Sequence, residues 1–167
     1  MIRRLCVLAI LAAALRMTGL LPFETRDVAQ LKPVEALVIS VDQGELVLQS
    51  EACMGRGVSW DAAWEDLKRG ADGDLFLGTV EQVVLVGEAA DLLSQVAQSD
   101  RLRPAAMVCT CPGAAPDPKE AAGYLSAHNS GLTLQQVRAK LLRQETVRLP
   151  VLVETEGGLR IYGTHDL

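Results

Sequence analysis

VEQVVLVGEAADLLSQVAQS (Val80–Ser99) is the stretch that decides the fold. Val80 to Val86 is the most strand-like run in the chain. Val83-Val84-Leu85-Val86 is apolar without alternation, the pattern of a strand buried on both faces, which places it centrally in a sheet. Gly87 breaks the run. A helix is expected from Glu88 to Ser99, with Leu92, Leu93 and Val96 turned inward. Ala105 to Thr110 then reads as a short strand. Strand, helix and strand make a βαβ unit, and such units imply parallel pairing with a helix laid on the sheet.

Working toward the N-terminus, Gly70 to Asp74 ends an earlier helix. That helix carries Trp60, Ala63, Trp64 and Leu67 at i, i+3, i+4 and i+7, with Ser59 placed to cap it. Two tryptophans on one stripe suit an aromatic ligand platform or core packing; packing against the sheet is the expected use. Gly55-Arg56-Gly57 reads as a loop. Before it, Val34 to Val41 and the alternating Glu45 to Ala52 flank the turn Asp42-Gln43-Gly44, a β-hairpin.

Working toward the C-terminus, Pro112 to Pro116 is a loop. Asp117-Pro118-Lys119-Glu120 opens a helix running to about Ala127, with Asp117 as cap and Glu120 completing a capping box. His128-Asn129-Ser130-Gly131 ends it. Thr133-Leu134-Gln135-Gln136 is a second capping box; Leu134, Val137 and Leu141 face inward, and Arg138, Lys140 and Arg143 form the solvated side. Val147 to Glu154 and Leu159 to Tyr162 make a second hairpin around Thr155-Glu156-Gly157-Gly158. The expected order is β-β-α-β-α-β-α-α-β-β. The fold class is α/β (α+β), a mixed β-sheet with helices packed on it.

Composition bounds the function. Hydrophobic residues are 49% of the chain, enough for a real core, which excludes a disordered chain. The formal charge of -5 lacks the basic face that phosphate neutralisation needs, so no nucleic-acid partner is expected. Arg3 and Arg4 precede an apolar run from Leu5 to Leu15, the length of a signal-peptide h-region. Extending the run to Phe23 makes a membrane anchor that carries Arg16, at a cost of about 3 kcal/mol. Residues 1–23 are therefore read as a signal peptide or anchor, 24–32 as a linker and 33–167 as one α/β domain. The domain is expected on the extracytoplasmic side of the cell membrane, or secreted if the leader is cleaved.

With this order in hand, three stretches resemble the N-terminal region of the spore-germination receptor C subunits, the Ger(x)C lipoproteins. They are RDVAQLKPVEALVISVD (Arg26–Asp42), SWDAAWEDLKRGADGDLFLGTVEQVVLVGEAA (Ser59–Ala90) and LTLQQVRAKLLRQETVRLPVLVETEGGLRIYGT (Leu132–Thr164). The order and spacing of the pieces carry the resemblance. Family members have a lipobox Cys, expected near Pro22 to Glu24 and absent here, and continue into further domains beyond the point where this sequence stops at Leu167. The resemblance implies a shortened, membrane-associated relative that acts through contacts with membrane proteins, germination-receptor subunits among them. It implies no catalytic residues and no cofactor.

The chemistry-bearing residues are sparse. His128 sits in a helix-ending segment and His165 close to the end of the sequence, neither in a motif. Gly55-Arg56-Gly57 lacks the third glycine of a dinucleotide fingerprint. Cys109 and Cys111 alternate on a strand and so share one face. With Cys53 and His128 they make a conceivable metal set, but the paired spacing of structural zinc sites is missing and no metal is assigned. Two readings follow: a docking module, with Gly55, Arg56, Gly57, Pro112 and Gly113 as its binding residues on loops at the strands' carboxyl ends; or a small exported thiol, redox or hydrolytic enzyme using Cys109 and Cys111.

Overall fold

The computed structural model describes residues 31–128 and 131–167, and Leu31–Leu167 forms one compact unit. The leader reading and most of the linker fall outside the described residues. Among those residues no helix is long and apolar enough to cross a membrane.

The strands are β1 (Leu31–Pro33), β2 (Ala36–Asp42), β3 (Glu45–Gln49), β4 (Met54–Gly57), β5 (Asp74–Phe76), β6 (Gln82–Val86), β7 (Met107–Cys111), β8 (Arg148–Thr155) and β9 (Gly158–Asp166). The helices are α1 (Trp60–Gly70), α2 (Leu93–Gln98), α3 (Pro118–His128) and α4 (Leu134–Leu142). Seven strands form one mixed sheet in the order β4-β3-β2-β6-β7-β8-β9. β2, β6, β7 and β8 are parallel neighbours in chain order, and an antiparallel hairpin flanks them on each side. β6 lies in the middle, and all five of its residues are buried. The α/β class and the mixed, helix-covered sheet expected from the sequence are thus present.

The pairing follows from local chemistry. Gln43 (φ 52°) and Gly44 (φ 83°) both lie in the left-handed region between paired Asp42 and Glu45. That is the two-residue turn whose twist matches the strands it joins. α1 starts where Ser59 accepts a hydrogen bond from Ala62 N at 3.2 Å. Asp117 Oδ1 accepts from Lys119 N (2.9 Å) and Glu120 N (3.0 Å), which opens α3. The Thr133–Gln136 capping box closes reciprocally, at 3.3 Å and 3.0 Å. Thr133→Ala removes one half of it and is expected to cost about 1 kcal/mol. In a domain of this size that lowers Tm by about 3 °C; a melt indistinguishable from wild type contradicts the assignment.

The sheet separates two cores. On one face Leu37, Ile39, Leu48, Val83, Leu85, Val108 and Leu149 meet α1, α2 and α4. On the other, Val38, Val84, Cys109 and Leu152 meet Ala121 and Leu125 of α3. Alternation along each strand sends neighbouring residues to opposite cores, so the unbroken apolar run of β6 serves both. Trp60, Ala63, Trp64 and Leu67 are all buried, and the two indoles meet edge to face at 5.5 Å, so the stripe is core packing.

Several local expectations are corrected. Gly55-Arg56-Gly57 is not a loop: it is most of β4, an edge strand paired with β3. The glycines are there because α1 lies directly on the strand. A Cβ at Gly55 falls 2.5 Å from Ala63 O, and one at Gly57 falls 2.5 Å from Ala63 N. β1 and β5 form a separate two-stranded parallel sheet that apolar patterning does not announce. The helix expected over Glu88–Ser99 opens as a 3-10 turn, Gly87–Leu92, and becomes α-helical only at Leu93. Gly87 (φ 53°) makes the sharp exit from β6 that this tight turn requires.

Candidate functional site

The chain leaves β6 and β7 in opposite directions. After β6, Gly87–Leu92 and α2 pack on the core that holds α1 and α4. After β7, Pro112–Pro116 leads to α3 on the other face. Adjacent parallel strands whose exits diverge leave an opening at their carboxyl ends, the usual place for a crevice in an open α/β sheet. A crevice of about 370 Å³ lies there. Leu85, Thr110 and Val151 line it from three adjacent strands. Gly87 and Ala90 contribute from the 3-10 turn, and Thr164 and His165 from β9. A second depression, about 650 Å³, lies between Pro112-Gly113-Ala114 and Val153-Glu154-Thr155. Cys111 and Pro112 border both.

The five candidate residues are therefore not one site. Pro112 borders the crevice and Gly113 the adjoining depression, while Gly55, Arg56 and Gly57 lie four strand positions away on β4. At about 4.8 Å per strand, that is roughly 19 Å across the sheet. Arg56 is engaged locally: its N–H donates to Asp66 (3.0 Å), and its guanidinium pairs with Asp42 (2.9 Å). The Asp66 bond occupies a backbone donor of the edge strand and so blunts that edge. Thr164 and His165 were not legible as site residues. Gly163 (φ 74°) and the irregular register between Pro150 and Leu152 bring that end of β9 beside the crevice, and neither feature has a sequence signature.

Among the described residues Cys53, Cys109 and Cys111 form no disulfide, and burial favours the thiol form of the two on β7. Cys109 is fully buried; burial, and then the neighbouring Cys111, push its pKa up to about 12. Burial also raises Cys111, with the Glu154 carboxylate adding to the effect and a backbone contact at Gly113 opposing it. Cys111 Sγ donates to Ala114 O (3.3 Å), and no hydrogen bond joins it to His165. Cys53 Sγ donates to Leu67 O (3.3 Å) in a separate part of the chain. His128 stacks on Tyr124, with ring centroids 4.3 Å apart, and its Nδ1 lies 2.8 Å from Tyr124 O. Of the conceivable metal set, Cys109 and Cys111 share the α3 core, while Cys53 and His128 are each hydrogen-bonded elsewhere. No group of three or more metal-ligating side chains occurs among the described residues.

A thiol is nucleophilic only as thiolate, so neither strand cysteine is poised for exchange or acyl transfer. Iodoacetamide labelling of the native protein, mapped by mass, tests this. Cys109 is expected to stay unmodified from pH 7 to 9 and to label only on unfolding. Labelling of native Cys109 that climbs through pH 8–9 overturns the assignment.

Comparison with family models, with curated proteins and with solved structures finds no match. What the crevice offers is therefore read from its own chemistry. It has an apolar floor, a hydroxyl at Thr164, an imidazole at His165 and a rim at Pro112, beyond which Gly113 borders the second depression. Such a surface can seat an apolar side chain and orient a neighbouring polar group.

Proposed function

We propose that the chain is a non-enzymatic, membrane-associated interaction domain of the spore-germination type, and that it docks a membrane protein at the crevice beside Pro112 and Gly113. The observation that carries this reading is the divergence of the chain after β6 and β7. It leaves a mostly apolar cleft on a rigid sheet while keeping Cys111 protonated at its border. Binding surfaces concentrate on connections held by such a scaffold. The resemblance of Arg26–Thr164 to the germination-receptor C subunits supplies the pathway, and the apolar leader supplies the attachment.

The alternative of a thiol or hydrolytic enzyme requires a thiolate or a nucleophile–base pair. The burial of Cys109 and Cys111 works against the first; against the second stands the engagement of Cys111 with Ala114 O and of His128 with Tyr124 O rather than with each other.

A photo-cross-linking residue introduced at Gly113 of the full chain, in membranes of the native host, is expected to capture a germination-receptor subunit. The same residue at Asp72, on the loop after α1, is the control and should capture none. Equal capture from both positions, or a measurable reaction that Cys111→Ala abolishes, overturns the reading.

A further inference from the structure

The two edges of the sheet are finished differently. β4 is short, lies under α1, and has its Arg56 N–H held by Asp66. β9 runs for nine residues without lysine or proline, the residues that keep other chains off an edge. Among the described residues it pairs with β8 alone. Antiparallel alternation turns every second residue's N–H and C=O away from the neighbouring strand. Ile161 is such a residue: its N–H donates to Tyr124 Oη of α3 at 3.0 Å. Leu159, two positions back and opposite Glu154, turns outward with it. No hydrogen bond from outside the β8 ladder reaches Leu159 among the described residues. The Tyr124 ring is held by stacking on His128, with centroids 4.3 Å apart. Its hydroxyl is therefore a latch on one donor of an open edge.

Unpaired backbone groups at strand spacing specify their ligand: an extended chain that supplies the matching donors and acceptors. The side chains add the rest. Leu159 and Ile161 are partly buried against the α3 core, so a strand laid beside them needs apolar residues opposite both. Arg160 projects to the other face. It is exposed and has no ion pair among the described residues. Tyr162 follows on the same strand and is 79% exposed; Arg and Tyr are residues that interfaces favour. A second copy of the chain fits poorly, because antiparallel pairing of Leu159 with Ile161 sets Arg160 against Arg160. We propose that the outer edge of β9 takes up an extended strand of a partner protein with the pattern apolar–acidic–apolar. Its carboxylate lies opposite Arg160, and Tyr124 gives up the Ile161 N–H as the strand pairs. The segment Leu159–Ile161 is not part of the crevice, so this inference does not rest on the reading above.

The test uses the full chain and a displayed library of extended peptides about eight residues long, with the Arg160→Glu protein as counter-selection. Arg160 is exposed and Tyr124→Phe removes only a hydroxyl; a thermal melt confirms that both variants are folded. Peptides enriched on the wild-type protein are expected to carry the apolar–acidic–apolar pattern. They should bind Arg160→Glu about tenfold more weakly, and recover when the carboxylate is exchanged for lysine. Tyr124→Phe should bind them about fivefold more tightly, because no competing hydrogen bond has to break. Amide hydrogen exchange supplies an independent readout: Leu159 exchanges freely in the protein alone and becomes protected when peptide binds. Absence of enrichment, equal binding by Arg160→Glu, or bound peptide that leaves Leu159 exchange unchanged overturns the proposal. Unchanged affinity in Tyr124→Phe overturns the latch. A dimeric mass with Leu159 already protected in the protein alone makes a second copy the occupant and overturns the partner strand.

Discussion

Val83→Asp is expected to abolish the folded domain. Val83 is fully buried in β6, paired with Leu37 of β2 on one side and Val108 of β7 on the other. Its side chain enters the larger core, among the residues that meet α1, α2 and α4. An unpaired carboxylate there costs about 3–5 kcal/mol, and the lost burial of valine adds about 1.5 kcal/mol. The sum is comparable with the whole stability of a domain this size. Protonating the aspartate relieves part of the charge cost but leaves a buried polar group without a partner. A circular-dichroism melt close to wild type would remove β6 from the centre of the sheet. Because both faces of β6 are buried, Val84→Asp should behave the same way through the α3 core.

Gly55→Ala is expected to cost about 3 kcal/mol, the upper range for overpacking. The added methyl points into the backbone of α1, where Ala63 O lies 2.5 Å away and Leu67 is closer still. Backbone atoms of a packed helix cannot swing aside as a long side chain can, so α1 must lift from β4. That movement loosens Trp64 and Leu67, both fully buried. Gly113→Ala is the matched control. A Cβ there meets nothing within 4 Å, and the change should stay within about 0.5 kcal/mol. Chemical denaturation of the two variants beside wild type separates them. Equal stability of Gly55→Ala and Gly113→Ala would mean that α1 does not rest on β4 as described.

The contrast between these glycines measures how far the sequence could be read. Both stand in short polar or small-residue stretches after apolar runs, and both look like loop glycines. Gly113 is one. Gly55 is a packing glycine on an edge strand, because what demands its missing side chain is a helix that begins five residues later and folds back over it. Local pattern reports a residue's own environment along the chain; it does not report what the chain lays on top. The same limit hid Thr164 and His165, whose place beside the crevice depends on an irregular register in the last hairpin.

What the sequence determined by itself is the class and most of the order. Periodicity marks α1 and the sheet strands other than β4, cap residues open α1, α3 and α4, and the turn at Gln43-Gly44 requires a hairpin. These are short-range matters, settled by sterics and hydrogen bonds within a few residues. The continuous apolarity of Val83–Val86 fixed the central strand as well, since burial on both faces leaves no polar positions to alternate. Only the tertiary structure decided which face each helix covers, that β4 belongs to the sheet, and that the chain parts after β6 and β7 to leave a crevice. Those outcomes depend on contacts between residues tens of positions apart. Their energies come from shape and from the area removed from water, quantities that exist only once the layers have packed.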